Sequence, residues 1–256
     1  MRVFVVRLRW WYVFVLLLLA FVSLVPQVRD PLILSVTSRG RLVPIYDVKT
    51  TQKRVAISFD ATWGTELTDE ILAILDSHGV KTTFFLAGYW VDKYPDYVVK
   101  IAAAGHEIGN HSYSHPHMNT LSEQGIYYEL QKNADMIRDL TGQKANLFRP
   151  PFGEYNNLVI SAASSLGYHT IQWSVDSLDW KNLTSNQIYE RVMDQVKPGS
   201  IVLFHNAAPG TPGAVRRLIP DLKAKGYDIV PVSQLLYKGD SFIDHAGTQH
   251  PGKGGH

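Results

Sequence analysis

The sequence predicts an α/β fold built on a mainly parallel sheet or barrel, on three observations. Short apolar runs alternate with amphipathic ones from about residue 55 onward. Gly105, Gly142, Gly167 and Gly226 stand where amphipathic runs should stop as helices. The links between runs are short, the pattern of repeated strand–helix units rather than of hairpins.

Taken in order, strands are predicted over 55–59, 82–86, 107–109, 145–148, 169–173, 201–204 and 229–232. Helices are predicted over 68–77, 96–104, 122–140, 157–166, 184–195 and 214–224, with Ser122 and Thr184 as N-caps. Residues 30–52 read as a linker with a possible short strand at 42–45. Residues 239–256 are rich in Gly and His with no apolar period, and are expected to be a disordered tail.

Composition bounds the function. A chain of 256 residues with 45% hydrophobic and 19% charged side chains is long enough for one main core. Its net charge is +2, from 25 basic and 23 acidic residues. The excess sits at the N-terminus, where residues 1–29 hold Arg2, Arg7, Arg9 and Arg29 and no acid, leaving 21 basic against 23 acidic side chains, or −2, beyond. A slightly acidic domain disfavours a nucleic-acid backbone as partner. With no cysteine, disulfides, thiolate metal sites and cysteine nucleophiles are excluded, so any metal must rest on His, Asp or Glu.

The uncharged stretch at 10–25, behind three arginines, is close to a membrane-spanning length of about 20 residues. A signal anchor with Trp10, Trp11 and Tyr12 at the interface is favoured over a cleaved signal peptide, because no small-x-small site follows. Either reading exports the domain: membrane-anchored and facing outward, or secreted.

In a parallel α/β fold the chemistry gathers at the carboxyl ends of the strands. Five groups of polar residues follow predicted strands: Asp60; His111 and His115; Arg149; Asp176 and Asp179; and His205. Singly each has an ordinary explanation: a turn aspartate, a chance H-x-x-x-H pair, a rim arginine, a solvated loop, a satisfied histidine. As a set they would have to reach one rim independently. A glycoside hydrolase using Asp176 and Asp179 is disfavoured, since two carboxylates in one loop flank a scissile bond poorly. No G-x-S-x-G elbow supports a serine hydrolase.

The ordered motifs SFDATWG at 58–64, HSYSH at 111–115, RPPFG at 149–153, DSLDW at 176–180 and LFH at 203–205 resemble the polysaccharide deacetylase (NodB homology) family, carbohydrate esterase family 4. The resemblance covers about residues 53–238. The layout is also similar to the sporulation-associated, PdaB-like subgroup. It implies an irregular (β/α) barrel and a metal-dependent hydrolase that releases acetate from an N-acetylated amino-sugar polymer, foremost peptidoglycan. Asp60 matches the catalytic base and Arg149 the residue that orients it. His111 and His115 match ligands of a divalent metal, usually zinc, with cobalt or manganese as alternatives. Phe152 matches the backbone donor to the oxyanion, His205 the general acid, Asp179 its carboxylate partner, and Trp180 and Leu203 the apolar walls of the acetyl pocket.

One departure stands out. The family usually has two adjacent carboxylates in the first motif, base then metal ligand, and here Ala61 follows Asp60. Two protein ligands remain where three is usual for a catalytic site. A second water, Asp176 or His117 are the candidates to complete it. The alternative function is a non-catalytic cell-wall or spore-cortex glycan-binding protein on the same fold.

Overall fold

The computed structural model of the protein describes residues 40–252. The expected membrane segment at 1–29 and the first part of the 30–52 linker lie outside these residues. Among the described residues no helix is long and apolar enough to cross a membrane.

In chain order the elements are β1 (Asp47–Val48), β2 (Arg54–Ala61), α1 (Thr68–Ser77), β3 (Thr83–Leu86), α2 (Gly88–Lys93), α3 (Pro95–Ala103), β4 (Glu107–Asn110), α4 (Glu123–Thr141), β5 (Leu147–Phe148), α5 (Asn157–Ser165), β6 (His169–Thr170), β7 (Val175–Asp176), α6 (Ser185–Gln195), β8 (Ile201–His205), α7 (Thr211–Ala224), β9 (Asp228–Ile229), α8 (Val232–Leu235), β10 (Ser241–Ile243) and β11 (Thr248–Pro251). The main sheet runs β6-β5-β4-β3-β2-β8-β7, with β9 paired to the start of β2. Its pairings are parallel, as the strand–helix alternation predicts. β6 and β7 end the path without pairing to each other, so the barrel is incomplete.

The alternation of β2 explains its central place. Val55, Ile57, Phe59 and Ala61 join the core between sheet and helices, whereas Ala56 packs on the opposite face. Phe59 is in register with Phe84 on β3 and Phe204 on β8, and its ring centroid lies 5.0 and 5.7 Å from theirs. Directly before Asp60, this triple stack fixes the height at which β2 ends.

Helix limits follow their caps. Ser122 Oγ accepts from Gly125 N at 3.2 Å to start α4, and Gly142 at φ 70° ends it. Thr184 and Gln187 form a capping box at α6. Asn156 caps α5 by accepting from Val159 N at 2.9 Å. The sequence reading misses α2, which is only six residues long and abuts Pro95 at the start of α3. It also misses β7, and it extends the strand at 229–232 through residues that begin α8.

The expected disordered tail is corrected over 239–252, while 253–256 lie outside the described residues. β10 and β11 pair antiparallel and β1 adds to β11 in parallel, forming a separate three-stranded sheet. His250 lies 2.8 Å from Asp244 Oδ2 and stacks on Phe242 with 4.9 Å between ring centroids. Sheet pairing and these side-chain contacts supply the order that a segment without an apolar period lacks by itself. The later part of the linker is likewise packed: Ile45 and Val48 are buried.

Ile45 bridges to Ile171 after β6, and Asp47 bridges to Ser200 before β8, so this segment spans from the edge strand to the foot of the sheet's centre. It is received by the turn 197–200, where Ser200 N donates to Lys197 O at 3.0 Å and Gly199 holds φ 85° after Pro198. A Cβ on Gly199 would overlap the carbonyl of Val48. Gly199→Ala should therefore lose about 2 kcal/mol or more of stability in thermal or urea unfolding, because strained φ and backbone overlap add. An unchanged midpoint would show that the seam does not need this close approach.

Candidate active site

The carboxyl ends of β2, β4, β5 and β8 bring the predicted residues to one rim. Ser58 and Asp60 lie two apart on β2, and Asp60 is in register with His205 on β8. Arg149, directly after β5, is fully buried and makes the link between strands. Its Nη1 donates to Asp60 Oδ1 at 2.7 Å, and its Nη2 donates to Ser58 Oγ at 2.8 Å and to Gln172 O at 3.3 Å. The guanidinium carbon stands 4.1 Å from the centroid of the Phe85 ring. Burial works to raise the Asp60 pKa, but Arg149, His111 and His205 together hold it below the ordinary 3.8, so the carboxylate is ionised at neutral pH.

His111 Nδ1 is 2.7 Å from Arg149 O. A carbonyl only accepts, so Nδ1 carries the proton and donates, leaving the lone pair on Nε2. That nitrogen faces Asp60 Oδ2 at 3.6 Å. Burial, ahead of the neighbouring charges, lowers the His111 pKa below 6.5 and that of His115 to about 4, so both rings are neutral at pH 7. Their centroids lie 4.9 Å apart.

Two neutral imidazoles fit a divalent cation, but the rest of the expected donor set is missing. Ala61 is fully buried in the core between sheet and helices and carries no donor. Asp176 Oδ1 accepts from Leu178 N at 2.9 Å and closes its own turn. His117 pairs with Glu154 at 3.0 Å and stacks on Phe152. Among the described residues no group of three or more His, Asp or Glu side chains is placed to hold a metal ion. The residues present therefore do not fit a three-ligand metal site, and both protein candidates for its completion are engaged elsewhere.

Across the rim, Asp179 is fully buried. Its Oδ1 accepts from His205 Nδ1 at 2.7 Å, and its Oδ2 accepts from His205 N at 2.7 Å and Thr211 Oγ1 at 2.6 Å. Burial alone would lower the His205 pKa, but the Asp179 hydrogen bond and charge, with Asp60 and Asp176 behind them, raise it above 6.5. Its Nε2 is the free proton-carrying end. Asp179 is thereby spoken for, and the Asp176–Asp179 carboxylate pair of a glycoside hydrolase is not formed.

Leu203 is buried on β8, in register with Ser58, and Trp180 is exposed beside Asp179. Phe152 holds φ 59° with its ring exposed and 4.6 Å from His115. Sequence reasoning misses Ser58, Thr211 and Trp63. Period-two spacing from Asp60 marks Ser58, whereas Thr211 meets Asp179 only through tertiary packing. Trp63 is 62% exposed and 6.5 Å from the His115 ring, so Trp63 and Phe152 both stand by that histidine.

The Arg149–Asp60 and Asp179–His205 pairs thus stand at the carboxyl ends of neighbouring strands of a curled parallel sheet, with Asp60 and His205 in register. The chain belongs to the polysaccharide deacetylase family, carbohydrate esterase family 4; the polysaccharide deacetylase profile matches residues 47–171. It is 36% identical over 186 residues to a peptidoglycan-N-acetylglucosamine deacetylase of Bacillus cereus, covering 71% of this chain and 68% of that one. It is 37% identical over 193 residues to the uncharacterized protein YlxY of Bacillus subtilis, covering 75% of this chain but 60% of that longer protein. The crystal structure of a family 4 pseudoenzyme from Bacillus anthracis matches with TM-score 0.74 and 38% identity, covering 81% of this chain and 72% of that one. A mutant of that pseudoenzyme with restored enzymatic activity matches with TM-score 0.73 and 41% identity, covering 75% and 70%.

The His205–Asp179 pair gives a sign-determined test. A histidine whose folded pKa is raised contributes stability fully present below its unfolded value near 6.5 and lost as pH rises through the folded value. In an NMR titration the His205 ring should titrate above 6.5, and at lower pH in Asp179→Asn, because burial is then opposed only by the remaining Asp60 and Asp176 charges. A titration unmoved by the substitution would break the assigned coupling.

Proposed function

We propose that the protein is an N-deacetylase that removes acetyl groups from an extracytoplasmic amino-sugar polymer of the peptidoglycan type. The carrying observation is the pair of buried, hydrogen-bonded charge pairs on one rim, Arg149–Asp60 and Asp179–His205. Burying such charges costs several kcal/mol per ion unless paired, and their joint use in hydrolysis accounts for both. The exposed aromatic rings of Trp63, Phe152 and Trp180 around them suit the faces of sugar rings. The exported location rests on the N-terminal arginines and apolar stretch, and a sporulation role on motif layout alone.

In this reading water attacks the acetamide carbonyl. Asp60 Oδ2 takes the water's proton while Arg149 holds Oδ1, and the backbone N–H of Phe152 faces the developing oxyanion. His205 Nε2 gives its proton to the sugar nitrogen as the C–N bond breaks, releasing acetate and a free amine. No step is routed through a metal, because the residues present do not complete its site.

A second reading rests on a specific observation, the apolar Ala61 where a ligand carboxylate is usual. It makes the domain a glycan binder with little turnover, in keeping with the likeness to a pseudoenzyme. Acetate release from N-acetylglucosamine oligomers and peptidoglycan, with zinc, cobalt or manganese added, separates the two. Release by the wild type that Asp60→Asn lowers by about 100-fold or more supports the first. Binding without release under every metal supports the second.

Activity should need Asp60 ionised and His205 protonated. Asp60 is ionised above a pKa held below 3.8, and His205 stays charged up to a pKa above 6.5. The rate is therefore expected to hold between about pH 4 and 6.5 and to fall as pH rises further through the His205 value. A rate still climbing beyond pH 8 would contradict His205 as the acid.

Ala61→Asp tests the missing ligand. A buried, unpaired carboxylate should lower stability without metal by about 2 kcal/mol or more, and added zinc should restore it by linkage. Melting curves with and without zinc read this directly, and a variant indifferent to zinc would show that position 61 does not reach the histidines.

A further inference from the structure

Glu129 is a buried carboxylate that the reaction above does not use. It sits on the inward face of α4 with Ile126, Leu130, Asn133 and Ile137 and is only 7% exposed. Among the described residues no Lys, Arg or His forms an ion pair with it, unlike Asp60, Asp179 and Asp47, which have Arg149, His205 and Lys197. Its charge is met instead by one loop. Oε2 accepts from Tyr113 N at 2.9 Å and from Ser114 N at 2.7 Å, and Oε1 accepts from Ser114 Oγ at 2.7 Å.

That loop carries His111 and His115, and it is strained. Ser112 and His115 hold φ values of 62° and 55°, a region that non-glycine residues avoid. Ser112 N donates to Asn110 Oδ1 at 2.9 Å and His115 N to Ser112 Oγ at 3.1 Å, so the left-handed turns have local partners. From the outer side Gly88 N and Tyr89 N each donate to it at 2.9 Å, to Ser112 O and Tyr113 O. Among the described residues, Glu129 alone takes up the Tyr113 and Ser114 N–H groups between the two strained residues.

We propose that Glu129 is a positioning residue that holds the 112–115 loop in its left-handed form and so sets the place of the His115 ring beside Phe152. The proposal rests on the reading of this rim as the glycan site, but its primary measurement is independent of that reading. Three donors converging on one carboxylate explain why an otherwise costly buried charge is kept on a helix face shared with Ile126, Leu130 and Ile137.

The full-length protein is compared with Glu129→Ala, Glu129→Gln and Ser114→Ala, following the His115 ring nitrogens by NMR, the exchange of the Tyr113 and Ser114 amides, and the melting temperature. In Glu129→Ala the two amides should exchange about 30-fold faster and the His115 signals should move, while amides of β2 stay protected. Glu129→Gln should largely rescue both, since its oxygen accepts the two N–H groups and its amide can donate to the Ser114 hydroxyl. Ser114 is exposed, so Ser114→Ala carries the test even if Glu129→Ala does not fold, and should move His115 in the same direction by less. His115 signals and loop exchange unchanged in every folded variant, or a loss of melting temperature with no change at His115, would overturn the proposal. Binding of chitin oligomers is measured alongside: no binding by the wild type would count against the glycan reading, whatever His115 does.

Discussion

The site hangs on one buried ion pair. Arg149 has no exposed surface, yet it joins β2 through Asp60 and Ser58, the segment after β6 through Gln172 O, and the histidine loop through its own carbonyl. Removing a partner from such a pair costs more than the pair gains, because it strands a charge in a medium that cannot solvate it. The chain therefore has to arrive at this point with β2, β4 and β5 in register. Phe85 supports the guanidinium from below, and Gly109 on the neighbouring strand makes room for that ring, since a Cβ there would overlap it. Packing, charge and backbone conformation converge on a single guanidinium, which places the Asp60 carboxylate and, through the Arg149 carbonyl, the His111 tautomer.

Against that frame, Ala61 is a local change with a large chemical consequence. The strand continues unchanged through it, in register with Leu86, and its methyl group joins the apolar core. Nothing in the packing penalises alanine; the fold is indifferent to the missing carboxylate. The Arg149–Asp60 and Asp179–His205 pairs stand on hydrogen bonds of their own and do not depend on residue 61. Structural retention of Asp60, Arg149, Asp179 and His205 consequently speaks to stability as well as to turnover, and this is why a binding protein and an enzyme can share the arrangement.

The sequence made the layered α/β order legible because strand and helix periodicities differ and the glycines and caps mark helix ends: the helix predicted over 68–77 matches α1 (Thr68–Ser77) in full. It made the rim legible because parallel strands put residues after each strand on one side. What it hid has physical causes. β1, β10 and β11 are too short to show a period; β10 and β11 pair with each other, and β1 joins β11 from about 200 residues away, a contact no local pattern reports. Thr211 is invisible for the same reason, since it meets Asp179 through a contact between α7 and the loop after β7. His117 looked like a ligand by type, and it is withdrawn by Glu154, 37 residues away.

The remaining observation is where the backbone is strained. Among the described residues five non-glycine positions have positive φ: Ser112, His115, Phe152, Leu178 and Asn182. Ser112, His115 and Phe152 line the histidine side of the rim, and Leu178 directly precedes Asp179. Each such conformation costs about 1–3 kcal/mol and persists only where surrounding contacts over-determine it. Here polar side chains supply the contacts: buried Asn110, itself held by Asn133, under the histidine loop, and half-buried Asp176 under Leu178. A polar scaffold placed beneath strained loops keeps the rim's side chains from relaxing toward the favoured regions of φ and ψ, and a surface held this way gives up little further ordering entropy when it is contacted. The strained turns therefore fix the shape of the rim independently of whether a cation or any hydrolysis is involved.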